Sequence, residues 1–159
     1  MSARKNSLLL TMIIAAALVM TTGCSRLPIY SHFETVGANG WDRADTLHFI
    51  VPIAHDGQYK LCLDLRADSR YPYTQIVINT QFSSRRSTLA THPSLLTIDI
   101  TDDDGNFLGR GSGIYQYHVS IPSAQLTKGD TLKVNVAHGM NRQLLPGISD
   151  VGITVAEEE

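Results

Sequence analysis

Hydrophobic side chains alternate with polar ones in seven short runs between residues 47 and 155. A period of two places successive side chains on opposite faces of a β-strand, so each run predicts a strand with one buried face. The runs are carried by Leu47/Phe49/Val51, Leu61/Leu63/Leu65, Ile76/Ile78 with Phe82, Leu96/Ile98/Ile100, Tyr115/Tyr117/Val119/Ile121, Leu132/Val134/Val136 and Val151/Ile153/Val155.

Turn-forming residues separate these runs, at 55–57, 69–72, 103–106, 128–130 and 145–147. No stretch beyond residue 24 shows a helical period of 3.6 residues over a dozen positions. The pattern therefore predicts an all-β domain at 43–156, an antiparallel β-sandwich of seven or eight strands with jelly-roll or Greek-key-like topology. The polar stretch 85–93 is predicted to be a loop that joins its two halves.

Residues 1–23 have the three-part layout of an export signal. Arg4 and Lys5 are followed by an apolar segment that is too short to span a bilayer, and small residues then lead to Cys24. A cysteine at this place is typical of a lipoprotein, because its thiol accepts a diacylglyceryl group before cleavage. We therefore predict a lipoprotein signal peptide at 1–23 and a lipid on Cys24, with cleavage as a soluble secreted protein as the alternative.

One residue before the cysteine departs from the usual lipobox, and one after it bears on the membrane to which the lipoprotein is sent. Thr21 stands where the usual lipobox has leucine, and Ser25 follows the cysteine where an aspartate would favour retention at the inner membrane. We therefore expect an outer-membrane lipoprotein that faces the periplasm. Residues 24–42 are predicted to be a lipidated tether and an irregular entry to the domain, and residues 157–159 a frayed acidic tail.

Charge and cysteine content narrow the function classes. Removal of the signal leaves 11 Lys and Arg against 15 Asp and Glu, a net charge of about −4, and nothing indicates nucleic acid as a partner. With Cys24 lipidated, Cys62 has no partner for a disulfide. A reactive thiol at Cys62 is one interpretation, and a small residue packed under a neighbouring strand or loop is the favoured one.

Candidate sites for metals and catalysis each have a simpler structural interpretation. The acidic segment Asp102–Asn106 invites a calcium site but lacks the EF-hand spacing, and a hairpin turn explains it. None of the six histidines stands in a metal-binding spacing, and no G-x-S-x-G motif is present. We therefore expect no enzyme activity, no metal and no cofactor.

Three aromatic residues, Trp41, Tyr71 and Tyr73, are candidate ligand contacts. Exposed rings on sandwich loops are how many carbohydrate-binding modules hold sugars, so a glycan is one possible partner. Packing is the alternative: Trp41 as a plug that closes one end of the core, and Tyr71-Pro72-Tyr73 as a rigid turn flanked by packed rings.

Three motifs follow one another along the mature chain. They are Leu63-Asp64-Leu65-Arg66 leading to Tyr71-Pro72-Tyr73, then Asp102-Asp103-Asp104-Gly105-Asn106-Phe107-Leu108-Gly109-Arg110-Gly111, and finally Pro146-Gly147-Ile148-Ser149-Asp150-Val151-Gly152. Together with the lipoprotein start and Trp41 before the first predicted strand, they resemble the GldH family, the gliding-motility lipoproteins of Bacteroidetes.

The resemblance implies an envelope lipoprotein associated with a gliding apparatus whose machinery overlaps the type IX secretion system. It implies an accessory or structural component without catalytic residues, so that only Cys24 takes over a defined role. The leading hypothesis is an interaction protein that contacts envelope proteins of a motility or secretion apparatus. The alternative is a membrane-anchored glycan-binding sandwich, and a hydrolase has no motif to support it.

Overall fold

The computed structural model describes residues 27–86 and 94–158, so the signal segment and Cys24 lie outside the described residues. Within these ranges the chain forms strands without helices, and thus no helix that could cross a membrane. The strands are β1 (Tyr30–Thr35), β2 (Trp41–Asp42), β3 (Leu47–Pro52), β4 (Gly57–Asp68), β5 (Gln75–Ser83), β6 (Ser94–Asp99), β7 (Arg110–Ser112), β8 (Ile114–Leu126), β9 (Thr131–His138), β10 (Leu144–Leu145) and β11 (Ile148–Glu157).

The strands form two principal antiparallel sheets. The five-stranded sheet has the order β1-β11-β4-β8-β7, and the four-stranded sheet has the order β3-β9-β5-β6. A third, two-stranded sheet pairs β10 with β2. The prediction of an all-β antiparallel sandwich is confirmed, with more strands than expected because β2, β7 and β10 are too short to produce an alternating pattern.

The core lies between the inner faces of the two principal sheets. Leu61, Leu63 and Leu65 of the central strand β4 are at most 1% exposed. They face the four-stranded sheet, whose Val134 and Val136 are fully buried. Each such side chain contributes about 1.5–3 kcal/mol through removal from water, so the alternating runs supply most of the stability.

The prediction that 24–42 is an irregular tether is wrong for β1. This strand pairs with β11 from Tyr30 opposite Val155 to Thr35 opposite Asp150. The alternating pattern is absent because β1 is an edge strand and the polar residue His32 lies on its inner side. The His32 ring meets the Phe49 ring edge-on, with the two ring centroids 6.3 Å apart. Backbone pairing with one neighbour, rather than burial of an apolar face, forms this strand.

The prediction of a frayed tail is wrong for Glu157 and Glu158. Glu157 ends β11 opposite Tyr59, and the Glu158 amide donates to the Gln58 carbonyl at 2.8 Å. The Lys60 ammonium lies 3.8 Å from the Glu158 carboxylate. Acidic composition alone does not reveal these backbone bonds to a strand a hundred residues away in the sequence.

The sandwich has two distinct ends. At the entry end β1 begins at Tyr30 and β4 begins at Gly57, and the Ile29 amide bonds to the Val155 carbonyl at 2.9 Å. At the far end β1 finishes at Thr35 and β4 at Asp68, roughly a strand length away. The short β3 to β4 turn lies at the entry end, so the four-stranded sheet shares the same two ends.

A close backbone approach joins two turns at the far end. Gly147 has φ +81°, and a Cβ added there would lie 2.1 Å from the Tyr71 nitrogen. The Gly147 carbonyl accepts a 2.8 Å hydrogen bond from the Asp68 amide. The turn before β11 is thereby fixed against the turn after β4, in a place where only glycine fits.

Trp41 is fully buried at the far end beside a buried histidine. The Trp41 indole N–H donates to the Asp45 carbonyl at 3.1 Å, and the ring meets that of His138 edge-on at 5.4 Å. His138 is 2% exposed, and neither ring nitrogen has a hydrogen-bond partner among the described residues. Burial lowers the pKa of His138, because charging an imidazole away from water is costly.

Substitution of Gly147 tests the backbone contact against a matched control. Gly113 has the same φ of +81° but open space around its Cβ position. We expect Gly113→Ala to lower the free energy of unfolding by about 1–2 kcal/mol through backbone strain alone. Gly147→Ala is expected to cost at least twice as much, since the Tyr71 backbone must also move. If urea denaturation shows the same decrease in the free energy of unfolding for both variants, the close contact at Gly147 is contradicted.

The buried His138 predicts a specific pH dependence. Its pKa is lower in the folded state than the unfolded value of about 6.5, so acid protonates the unfolded chain preferentially and stability falls as pH drops from about 7 to 5. In His138→Leu the free energy of unfolding is expected to fall less over this window. Urea titrations at several pH values measure how the free energy of unfolding changes with pH in the native protein and in His138→Leu. Identical pH dependence in the two proteins would show that His138 does not titrate as described.

Candidate interaction surface

The three sequence motifs meet at the far end of the sandwich. Trp41 pairs with Leu145 between β2 and β10, directly before the Pro146-to-Gly152 motif. Gly147 contacts the backbone of Tyr71, and Asp102 begins the loop that follows β6. Segments that are far apart in the sequence therefore come together at one end of the sandwich, opposite to the point where the chain enters the domain.

Two of the three aromatic candidate ligand contacts are buried in this region. Trp41 is 0% exposed and Tyr71 5% exposed, and the Tyr71 hydroxyl donates to the Gln75 carbonyl at 2.8 Å. Burial also raises the pKa of Tyr71. The ligand-contact interpretation is wrong for these two rings, because their faces are occupied by the core. Tyr73 is 38% exposed, and its hydroxyl accepts a hydrogen bond from Arg142 at 3.4 Å.

The acidic segment forms a tight hairpin turn closed by its first aspartate. Asp102 Oδ1 accepts hydrogen bonds from the backbone amides of Asp104 at 3.0 Å and Asn106 at 2.8 Å. The Asp102 amide donates to the Asn106 carbonyl. The Asn106 side-chain amide donates to the Asp102 carboxylate at 3.0 Å, and this bond, together with the two from the backbone amides, holds the pKa of the Asp102 carboxyl below its usual range. The geometry is that of the predicted turn. Among the described residues no three His, Cys, Asp or Glu side chains come together as a metal site.

The segment after this turn crosses from one sheet to the other. Phe107 stacks on Tyr115 with ring centroids 4.3 Å apart, and the Leu108 amide donates to the Ile100 carbonyl at 2.9 Å. Gly109 lies against the Tyr117 ring, where a Cβ would approach the ring carbon Cζ to 2.7 Å. The second motif thus encodes a crossing segment that is packed on two tyrosines.

This crossing leaves a groove along the edge of β8. Strand β7 pairs with β8 only from Arg110 to Ser112, so the described residues place no strand beside β8 beyond Gln116 on that side. Strand β6 is the matching edge of the other sheet. Between them lies a groove of about 890 Å³, which is lined by Thr97, Ile98, Asp99, Leu108, Gly109, Arg110, Gln116, Tyr117, His118 and Val119.

A buried carboxylate orients one histidine of the groove wall. Asp64 of β4 is 2% exposed although it lies on the outer face of its sheet. It accepts a hydrogen bond of 2.6 Å from the Thr154 hydroxyl and lies 2.6 Å from Nδ1 of His118. The His118 side chain is 55% exposed. Its second ring nitrogen, Nε2, is thus held in a fixed orientation from which it can bond to a partner.

An ordered row of charges lies beside this pair on the same outer face. The Arg66 guanidinium lies 4.1 Å above the ring of Phe33 and 3.9 Å from the Asp150 carboxylate. The Thr35 hydroxyl donates to Asp150 at 2.9 Å. The alternation of Leu61, Leu63 and Leu65 implies that Asp64 and Arg66 lie on the polar face of a strand, but only the pairing of β4 with β8 and β11 identifies their partners.

Cys62 lies on this face between Thr154 and Ser120. The residue is 9% exposed, and burial raises the pKa of its thiol. Both observations favour the interpretation of Cys62 as a packed small residue over that of a reactive thiol.

Comparison with solved structures finds distant likenesses of low TM-score. A family GH115 4-O-methyl-α-glucuronidase matches with a TM-score of 0.47 and 8% identity, over 86% of this chain and only 18% of the glucuronidase. The CBM35 of Cellvibrio japonicus Abf62 gives 0.41 and 10%, over 82% of this chain and 99% of the module. The Eiger TNF of S. frugiperda gives 0.31 and 13%, over 84% and 96%.

Sequence comparison, unlike the structural likenesses, identifies a family for this chain. No curated protein matches the chain. The family model described as GldH lipoprotein matches residues 28–155, which includes β1 to β10 entirely and β11 as far as Val155. The match spans Trp41 and the three motifs that meet at the far end of the sandwich. The chain therefore belongs to the GldH lipoprotein family.

Proposed function

We propose that this protein is a non-enzymatic accessory lipoprotein of the cell envelope that binds another envelope protein through the groove at its far end. Its partner is a component of a gliding-motility apparatus or of the linked type IX secretion machinery. Membership in the GldH lipoprotein family supports the envelope location. The finer role rests on the arrangement of the motifs in the fold.

The observation that carries the proposal is that the motif turns lie at the end of the sandwich opposite to Ile29, where the described chain enters the domain. Cys24, the proposed lipid attachment site, stands five residues before Ile29, which is bonded to β11 at the entry end. Five residues span at most about 18 Å, so a lipid on Cys24 holds the entry end near the membrane surface. The far end, where the motif turns lie, then points away from that surface.

The groove has the features of a site for an extended protein segment. The edge of β8 beyond Gln116 offers backbone groups to a strand that adds to the sheet. Leu108, 56% exposed, provides an apolar contact, and Arg110 and His118 provide polar ones. Pro122 lies at a bulge further along β8 and confines this strand addition to the part near the far end.

Anchoring makes even a weak contact at this groove effective. Confinement of both partners to one envelope layer raises their effective concentration, so that a modest interface suffices. An accessory protein with a fixed orientation and a small open edge fits that requirement.

Crosslinking in living cells tests this function. A photo-crosslinking amino acid at position Leu108 is expected to give one discrete product with a protein of the motility or secretion apparatus. The same amino acid at Ile50 is the matched control, because Ile50 is 61% exposed on β3, at the opposite edge of the sandwich. Mass spectrometry of the product identifies the partner.

The anchor provides the second control. In a strain with Cys24→Ala the Leu108 product is expected to fall at least about tenfold, since the effective concentration at the membrane is lost. Equal products from Leu108 and Ile50, or products that contain only abundant unrelated proteins, would contradict the proposed function. So would full surface spreading and full type IX export in a strain that lacks the gene.

A further inference from the structure

The charges of the entry end are divided between its two faces. On the side of the five-stranded sheet, Lys60 is paired with Glu158, and His55 Nδ1 lies 3.5 Å from Glu157. On the side of the four-stranded sheet, the exposed residues Arg85, Arg86 and Lys133 have no carboxylate within ion-pair distance in the described part of the chain. Within the described residues, the side chains of these three cations are therefore not held in ion pairs.

A pocket of about 470 Å³ lies among these three cations. It is lined by Ser83, Ser84, Arg85, Arg86, Gly129, Asp130, Thr131 and Lys133. Its lining comes from the end of β5, the start of β9 and the turn that precedes β9. The pocket thus opens at the entry end, on the outer side of the four-stranded sheet.

The one carboxylate in this lining is used to build the pocket. Asp130 is 5% exposed and accepts hydrogen bonds from the Ser84 hydroxyl and from the backbone amides of Arg86 at 3.0 Å and Thr131 at 2.7 Å. These bonds lower the pKa of Asp130 to about 2, so the carboxylate stays charged and fixed at neutral pH. It anchors the segment that carries the two arginines.

We propose that the pocket formed by Arg85, Arg86 and Lys133 binds the phosphate groups of anionic phospholipids in the membrane that holds the anchor. This corner of the four-stranded sheet then contacts the membrane surface. Arginine matches phosphate oxygens through two parallel hydrogen bonds, and clustered cations close to an anionic leaflet are attracted to it. This inference rests on the lipid anchor of the proposed function.

The position of the pocket selects a lipid as the occupant. The tether from Cys24 to Ile29 reaches at most about 18 Å, which keeps the entry end within reach of the headgroups at all times. The far end carries the surface proposed for protein contact, so two different surfaces serve the membrane and the protein partner. A headgroup phosphate at such a short tether is present at high effective concentration without any soluble ligand.

A fluorescence experiment on the lipidated mature protein tests the inference. The protein is reconstituted into vesicles of phosphatidylcholine, or of phosphatidylcholine and phosphatidylglycerol in equal amounts, with a quencher on a fraction of the headgroups. The fluorophore is attached to Gln81→Cys, an exposed position on the outer face near the pocket, while buried Cys62 stays unlabelled. Gln58→Cys marks the opposite face at the same end.

We expect the anionic vesicles to raise quenching at Gln81→Cys by at least about twofold and to leave Gln58→Cys nearly unchanged. The triple variant Arg85→Gln/Arg86→Gln/Lys133→Gln should return quenching to the level seen with phosphatidylcholine. A control variant removes three exposed cations from the far end, outside the groove: Arg43→Gln/Arg70→Gln/Arg142→Gln. It has the same net charge as the first triple variant and should keep the increase.

Equal quenching on both vesicles, or an equal effect of the two triple variants, would overturn the inference. A calorimetric titration with inorganic phosphate is expected to show no saturable binding, and saturable binding would assign the pocket to a soluble anion instead. The proposed function is tested separately. If the Leu108 crosslink is absent but quenching still depends on the anionic lipid, the proposed function fails and the lipid inference holds. If quenching does not depend on the anionic lipid but the Leu108 crosslink forms, the lipid inference fails and the proposed protein contact at the far end holds.

Discussion

The pairing of β4 with two neighbours is the constraint on which the rest of the structure depends. Strand β4 is hydrogen-bonded to β11 on one side and to β8 on the other over nearly its whole length. Its inner side places Leu61, Leu63 and Leu65 in the core, and its outer side places Asp64 and Arg66 beside the groove. One strand therefore connects the hydrophobic stabilisation of the sandwich with the geometry of its candidate interaction surface.

The family motifs describe how the far end is built more than what it binds. Gly147 lets one turn touch the backbone of Tyr71, and Gly109 lets the crossing segment lie on Tyr117. Trp41 fills the core beside His138. Because these contacts require specific residue types, the motifs are recognisable in the sequence. Their effect on function is indirect: only the second motif reaches the groove, through Leu108, Gly109 and Arg110, while the other two stabilise the turns of the far end.

The sequence predicted the core well because burial in a sandwich follows a local period of two. Leu63 and Val134 could be assigned to the inner faces from their neighbours alone. Edge strand β1 and the ordered Glu158 were missed, since both are held by backbone bonds to distant strands and have no apolar period. The burial of Tyr71 does not follow from the sequence either, because a ring beside a proline is compatible with packing and with display.

In the proposed arrangement, the membrane and the motif turns lie at opposite ends of the sandwich. Energy transfer from a donor on the lipidated protein to acceptor headgroups in vesicles measures this directly, with the donor on Leu144→Cys at the far end or on Gln58→Cys at the entry end. The 12 residues of β4 span about 40 Å, so the account predicts a donor at Leu144 that is farther from the membrane by up to that length. Equal distances, or a far end that is closer to the headgroups, would contradict it.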